Sequence, residues 1–181
     1  MQNSYYVIMN LQKFFISLLA IGCMSFNNSN YTISVIGDSQ VGNVAPHLAK
    51  KINTGWVLNY NYKIGSGIQN WNNETFSRAL DELQPNEIII FLGSNNYDAK
   101  DLPKTDKIIS YIERRKLKCM WVGPPLIFER KWKHTETLQG RIGNACQYFD
   151  SQRKEITLAD KIHPTRNGAI WWADAIWRNK K

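Results

Sequence analysis

The chain has 181 residues, of which 43% are hydrophobic, and its formal net charge is +8. This length and apolar content suit one domain with a packed core, and the lack of internal repeats in the sequence excludes a repeat array. The basic residues are scattered, without a helix-turn-helix, zinc-finger or RNA-recognition signature, so we expect no nucleic-acid partner.

A short apolar run at residues 14–22 ends just before Cys23. It is too short for a confident membrane span and resembles the core of a signal peptide. Leu19–Cys23 also resembles a bacterial lipobox, in which Cys23 would carry lipid after cleavage and attach the protein to a membrane. The alternative is an apolar segment that packs on the domain. We expect residues 1–26 to form a separate N-terminal segment and the protein to be secreted, periplasmic or anchored in the envelope.

After that segment, strand-like and helix-like patterns alternate along residues 27–181. The alternation predicts a single-domain α/β/α sandwich, whose mainly parallel sheet is covered by helices on both faces. Pro46 falls inside the first helical pattern, and we expect that helix to begin near Ala45. The predicted strands are 32–36, 56–62, 88–92, 118–122 and 147–149, and the predicted helices are 41–52, 73–83, 104–116, 134–146 and 166–178.

The turn between the first strand and the first helix carries the tripeptide Gly37-Asp38-Ser39. A serine at such a turn is well placed to act as a nucleophile. Its own backbone amide, at the helix N-terminus, can stabilise a developing oxyanion. The alternative for three such common residues is a turn in which Asp38 only caps the helix.

A second polar motif, Asp160 followed by His163, precedes the last predicted helix. An aspartate three residues before a histidine can reach the imidazole within one turn of chain. It can then hold the ring in the tautomer that accepts a proton from a hydroxyl. With Ser39 these residues supply the parts of a Ser-His-Asp triad, although the pair alone can also be a capped turn.

Two further loops follow predicted strands and offer hydrogen-bond donors. Gly67 comes after the second strand and Asn95 after the third. A glycine amide and an asparagine side chain can form an oxyanion hole, although both residues are also common in turns. Since ligands of open α/β sheets bind at the carboxyl ends of the strands, we expect Ser39, Gly67 and Asn95 to meet at one edge.

Four blocks of this sequence resemble, in order, those of the SGNH hydrolases, the GDSL-like esterase and lipase superfamily. They centre on Ser39, Gly67, Asn95 and His163, with Gly65 as the fallback in the second block, and they span roughly residues 32–179. Any one block is common, whereas four in the right order are specific.

The resemblance implies a flavodoxin-like fold and a serine esterase. Ser39 would be the nucleophile, His163 the base and Asp160 its partner, with an oxyanion hole formed by Ser39, Gly67 and Asn95. The implied substrates are small acyl esters, above all O-acetyl groups on carbohydrates, and no cofactor is implied. A basic surface facing an anionic envelope or polysaccharide would fit such a family. The alternatives are an acyltransferase, a lipase or thioesterase with the same triad, or an inactive binding module.

The sequence departs from the family pattern at two positions. Gln40 stands where leucine or histidine is frequent, and Asn96 stands where aspartate is usual. Together with Trp71 and Pro124 they are our candidate substrate contacts. Trp71 can equally pack against a helix, and Pro124, in a Gly-Pro-Pro sequence that resembles small bacterial and phage-encoded members, can simply shape a turn.

Besides Cys23, the chain contains Cys119 and Cys146. These two can pair in an oxidising compartment, or remain free as small buried hydrophobic side chains. The sequence slightly favours the free thiols. No Cys-x-x-Cys sequence or histidine cluster indicates a metal site, and we expect none.

Overall fold

The computed structural model describes residues 31–71, 73–96, 99–126 and 134–180, so the predicted N-terminal segment lies outside it. The strands are β1 (Thr32–Gly37), β2 (Val57–Tyr62), β3 (Glu87–Phe91), β4 (Lys118–Val122) and β5 (Gln147–Phe149). The α-helices are α1 (Ser39–Leu48), α2 (Asn73–Leu83), α3 (Thr105–Arg115), α4 (Thr135–Ile142) and α5 (Arg166–Asn179), and short 3₁₀ helices cover Ile68–Asn70 and Ala99–Lys104. In the described ranges no helix is long and apolar enough to cross a membrane.

The strands form one sheet in the order β2-β1-β3-β4-β5, and every neighbouring pair is parallel. This is the flavodoxin-like order, in which the chain reverses its direction of travel between β1 and β3. The central strand β3 has the sequence Glu-Ile-Ile-Ile-Phe and is buried along its whole length, as expected for a parallel strand covered on both faces. The predicted three-layer sandwich is therefore confirmed.

Side chains of the sheet alternate between two apolar cores. Ile88 and Ile90 of β3 belong to the core beneath α2, α3 and α4. Ile89 and Phe91 belong to the core beneath α1 and α5. In the second core the fully buried Trp172 of α5 meets the Phe91 ring edge-on, with 5.5 Å between ring centroids. Helices α1 and α5 pack on the same face of the sheet, which brings the two ends of the domain together.

Helix α1 begins six residues earlier than expected, so the prediction that it starts near Ala45 is wrong. The Asp38 carboxylate accepts a hydrogen bond from the Gln40 amide at 2.9 Å and fixes the start of the helix directly after β1. Pro46 lies inside the helix, where it has no N–H to donate to the Gly42 carbonyl. The cap therefore decides where this helix begins, and the proline is accommodated.

A disulfide bond joins Cys119 of β4 to Cys146, which directly precedes β5. The interpretation of these cysteines as free thiols, slightly favoured by the sequence, is therefore wrong. Helix α4 ends at Ile142 because Gly143 adopts a positive φ of 55°, and the turn that follows brings Cys146 back against the sheet. The bond closes a loop between residues 27 positions apart, which includes α4.

Candidate active site

The loops after β1, β2 and β3 carry Ser39, Gly67 and Asn95 and open at the same edge of the sheet. A Cβ atom on Gly37 would lie 2.1 Å from the Phe91 carbonyl oxygen. That carbonyl instead accepts a hydrogen bond from the Asp38 amide at 3.0 Å. Gly37 thus allows the end of β1 to lie close to β3, because any side chain at this position would clash with the Phe91 carbonyl.

Ser39 is the first residue of α1. Its backbone amide is among those that have no acceptor within the helix, and the helix dipole favours negative charge at this point. The Asn43 side chain, one turn further on, donates a hydrogen bond to the Ser39 carbonyl at 3.1 Å. The first turn is therefore fixed from both sides, by Asp38 before it and Asn43 after it.

A chain of hydrogen bonds connects Ser39, His163 and Asp160. The Ser39 Oγ lies 2.9 Å from Nε2 of His163, and Nδ1 of the same ring lies 2.7 Å from Oδ2 of Asp160. Hydrogen bonds from the His163 side chain, and then from the His163 and Ile162 amides, hold the pKa of Asp160 well below its usual range. An ionised carboxylate only accepts, so Nδ1 carries the proton and Nε2 can accept from the serine hydroxyl.

The loop that carries the histidine is held by the helix that carries the serine. The side-chain amide of Gln40 in α1 donates to the Ile162 carbonyl at 3.0 Å. Within the loop, the Ala159 amide donates to the His163 carbonyl at 2.8 Å. Gln40 directly follows Ser39, and Ile162 directly precedes His163. The hydrogen bond between Gln40 and Ile162 therefore holds the two chain segments together beside the Ser39–His163 contact.

Asp38, next to Ser39, is a buried acid with 0% of its surface exposed. Burial raises the pKa of Asp38 to about 7, although the Gln40 amide, the Ser94 side chain and the nearby His163 oppose this shift. Its Oδ1 accepts the hydrogen bond that caps α1. Near neutral pH the Asp38 carboxyl behind the serine is therefore only partly ionised.

The two candidate oxyanion donors beyond Ser39 both have partners within the protein. Asn95 donates one of its two side-chain N–H groups to the Ser66 carbonyl at 3.0 Å, which leaves the second for a ligand. The Gly67 amide has a single N–H, and it donates to Oδ1 of Asn70 at 2.9 Å. A ligand can therefore use the Gly67 amide only if Asn70 releases it. The fallback, Gly65, is exposed and lies at a positive φ of 70°.

The four candidate substrate contacts are buried, and three of them serve other partners. Gln40 is 1% exposed and braces the histidine loop. Asn96 is also 1% exposed, and its side chain accepts from the Ile68 amide at 2.9 Å and donates to Gln69. Trp71 is 4% exposed and donates to the Ser66 hydroxyl at 3.0 Å. The first three are thus held within the loops by protein partners, Pro124 is buried after β4, and a role of all four in substrate contact stays a prediction.

Sequence reasoning did not predict the hydrogen bonds that complete these loops. Asn70 stands three positions after Gly67, which is the spacing of a helix capping box, and this signal could have pointed to it. Ser66 accepts hydrogen bonds from the Trp71 and Asn95 side chains, and Asn43 donates to the Ser39 carbonyl; no motif predicts these contacts. Among the described residues, no group of three or more His, Cys, Asp or Glu side chains is placed to hold a metal ion.

No protein-family model matches the sequence, and no curated protein matches it either. Solved structures do match. The chain is 16% identical to TesA, with a TM-score of 0.62 over 81% of this chain and 96% of the other. It is 14% identical to a catalytic mutant of Axe2, an acetylxylan esterase from Geobacillus stearothermophilus, with a TM-score of 0.64 over 82% of this chain and 93% of the other.

The catalytic domain of the peptidoglycan O-acetyltransferase OatA from Streptococcus pneumoniae also shares the fold. It is 17% identical, with a TM-score of 0.57 over 80% of this chain and 89% of the other. At such low identity the comparisons establish the fold alone. The chain therefore has the fold of the SGNH-type esterases, as its sequence predicted.

Proposed function

We propose that this protein is a serine hydrolase that cleaves carboxylic esters through Ser39, His163 and Asp160. The observation that carries the proposal is the unbroken chain of contacts, 2.9 Å from Ser39 to His163 and 2.7 Å from His163 to Asp160. The fold shared with an acetylxylan esterase and with TesA supports it.

The proposed reaction begins when His163 Nε2 takes the proton of the Ser39 hydroxyl and Oγ attacks the ester carbonyl. The carbonyl oxygen becomes an oxyanion, which the Ser39 amide, the free N–H of Asn95 and, once Asn70 has released it, the Gly67 amide stabilise. His163 then gives its proton to the leaving alcohol, and the acyl group remains on Ser39. Water, activated by the same imidazole, hydrolyses this acyl-enzyme, while Asp160 stabilises the imidazolium in both halves.

Small acyl esters on carbohydrates, above all O-acetyl groups, are the proposed substrates. Two proteins that share the fold are described as an acetylxylan esterase and a peptidoglycan O-acetyltransferase. The second favours an alternative, in which the acyl group passes from Ser39 to a sugar hydroxyl. Incubation of an aryl acetate with a glycan acceptor separates the two, since a transferase forms acetylated glycan and a hydrolase forms acetate. A lipid ester or thioester substrate would appear as a preference for long-chain or thioester probes.

The direct test compares wild type with Ser39→Ala in fluorophosphonate labelling and in hydrolysis of p-nitrophenyl acetate. Removal of the nucleophile is expected to lower the rate by about 10⁴-fold or more and to abolish labelling, while the circular dichroism spectrum stays unchanged. Ser110→Ala, on the exposed side of α3, is a matched control away from the site. Hydrolysis by Ser39→Ala within a few-fold of wild type would exclude this mechanism, and absence of labelling in wild type would favour the inactive binding module.

We further propose that the protein works in an oxidising compartment outside the cytoplasm. The Cys119–Cys146 disulfide supports this, because such bonds persist mainly in exported proteins. The apolar run at residues 14–22 is consistent with an export signal. Mass spectrometry of the protein from its native host tests the proposal: a start after residue 22 supports a cleaved signal, and added lipid mass on Cys23 supports envelope anchoring. Retention of residues 1–22 would contradict both.

A further inference from the structure

A cleft of about 550 Å³ lies beside the loop that carries Asp160 and His163. None of the three proposed catalytic residues is among the described residues that line it. Leu126, from the loop after β4, lines one side, and the chain between β5 and α5 lines the other. The residues of that second segment in the lining are Arg153, Lys154, Ile156, Thr157, Leu158 and Lys161. Lys161 directly follows Asp160, so the same loop faces the triad and the cleft.

The lining of this cleft combines apolar side chains with positively charged ones. Ile156 is 4% exposed and Leu126 is 43% exposed. Among the described residues that line it, the three with ionisable side chains, Arg153, Lys154 and Lys161, are all cations, and none carries a carboxylate. The acidic residues of the same segment, Asp150, Glu155 and Asp160, are exposed but are not among the lining residues, and Asp160 is engaged by His163.

The cationic side of the cleft is partly ordered before any ligand arrives. The Arg153 Nε donates to the Asp150 carbonyl at 3.0 Å, and the guanidinium lies 5.6 Å from the centre of the Phe149 ring. These contacts fix the position of one charge. Lys161 lies at a positive φ of 67° in the turn that presents Asp160 to His163, so its backbone position is fixed with the triad.

We propose that this cleft binds an anionic group, a carboxylate or a phosphate, on the alcohol part of the ester. The inference rests on the proposed esterase function and names its substrate class more closely. A volume of about 550 Å³ is far more than an acetyl group needs and lies in the range of small-molecule sites, so the cleft suits the larger alcohol. The apolar side chains would contact the uncharged face of a ring, and the cations would attract its negative substituent.

Three aryl acetates test this: neutral methyl 4-acetoxybenzoate, its free carboxylate 4-acetoxybenzoate, and 4-acetoxyphenyl phosphate. Each kcat/KM is divided by the rate of hydroxide-catalysed hydrolysis of the same ester, which removes differences in leaving group. Exposed ion pairs contribute modestly, so we expect each removed charge to reduce the normalised preference for the anionic esters by about 1.4- to 5-fold. About 0.5 M NaCl should reduce it as well.

The variants are Lys154→Gln and the double substitution Arg153→Gln/Lys154→Gln, with Lys107→Gln as the matched control. Lys107 is exposed on α3, in the layer on the opposite face of the sheet, so it removes the same net charge away from the cleft. The preference should fall stepwise in the cleft variants and stay unchanged in the control. A preference that is absent in wild type, or equal in all variants, would overturn the proposal. The ester whose normalised kcat/KM falls in the cleft variants, the carboxylate or the phosphate, identifies the anion that the cleft binds.

A binding measurement separates this inference from the function on which it rests. Calorimetric titration of Ser39→Ala with trigalacturonate, a trimer of a carboxylate-bearing sugar, needs no turnover, with neutral maltotriose as the control. Binding of the acidic sugar alone, weakened in the cleft variants, supports the anion site even if no ester is cleaved. Normal Ser39-dependent ester hydrolysis without any anion preference or binding would refute the site and leave the esterase proposal intact.

Discussion

At the scale of single residues, Asp38 is the least expected feature of the site. A fully buried carboxyl next to a nucleophile costs stability when it ionises, because burial penalises the charged form. Its pKa is raised to about 7 in the folded protein from an ordinary value of 3.8. Between these values the unfolded chain releases the proton and the folded protein keeps it, so stability must fall as the pH rises through this window and level off above it.

Asp38→Asn should remove this dependence, because asparagine keeps the capping oxygen and cannot ionise. The gain in stability should be larger at pH 8 than at pH 5, following about 1.4 kcal/mol per pH decade between the two pKa values as an upper limit. Urea denaturation at several pH values measures it. Glu82→Gln, which removes an exposed carboxylate, is the control and should show no such trend. An unchanged pH dependence in Asp38→Asn would refute the assignment.

Asn70 occupies the only proton that Gly67 can offer to an oxyanion. Asn70→Ala should free this N–H, and since a net hydrogen bond contributes about 0.5–1.5 kcal/mol, kcat/KM should rise by about 2- to 12-fold. Steady-state hydrolysis of p-nitrophenyl acetate measures the change, with the exposed Asn61→Ala as control. A fall in kcat/KM would show instead that Asn70 positions Gly67, and that the amide serves the reaction only in its present place.

The sequence identified the residues that meet at the proposed site but not the contacts that hold them there. Ser39, His163 and Asp160 could be predicted because their chemistry requires particular side chains in a recognisable order. The internal hydrogen bonds of Gln40 and Asn96 could not be predicted, because adjacent side chains in a helix or turn point in different directions, and these two point inward. Their position in the sequence indicated the loops in which they lie but not the direction of each side chain.

At the scale of elements, the hydrogen bond from Gln40 to Ile162 joins α1 to the loop before α5. Gln40→Leu would remove it and leave the Ile162 carbonyl without this donor. Because small displacements of a catalytic base are costly, we expect kcat to fall by about 10- to 100-fold with a small change in KM. Gln139→Leu, on the exposed side of α4, is the control. A loss confined to KM would mean that the bond shapes substrate binding and does not position His163.

The regular elements were largely predictable, and their ends were not. The buried isoleucine run of β3 and the amphipathic helices follow from periodicity alone. The start of α1 depended on a cap by Asp38 that outweighed the preference of Pro46 for a first turn. The pairing of Cys119 with Cys146 depended on the three-dimensional adjacency of β4 and β5, which no local pattern contains.

At the scale of the whole molecule, the disulfide closes a loop between residues 27 positions apart. The chain-entropy model assigns such a loop about 3–4 kcal/mol of stability. Reduction with dithiothreitol should therefore lower the melting temperature by several degrees, while esterase activity at 25 °C persists because neither cysteine lies among the proposed catalytic residues. The double variant Cys119→Ala/Cys146→Ala should have a melting temperature close to that of the reduced wild type, and dithiothreitol should not change it. An identical melting temperature with and without reductant in wild type would contradict a structural role.

Ser39 and His163 of the proposed triad are 124 residues apart in the sequence, and His163 lies just before α5. During synthesis Ser39 therefore emerges long before Asp160 and His163, so most of the chain is made before the proposed triad can assemble. Long-range contacts of this kind form late in folding, after the loops between them have closed. A chain that is truncated, still being synthesised or not yet docked at its C-terminal helix would therefore lack the assembled triad that we propose for ester cleavage.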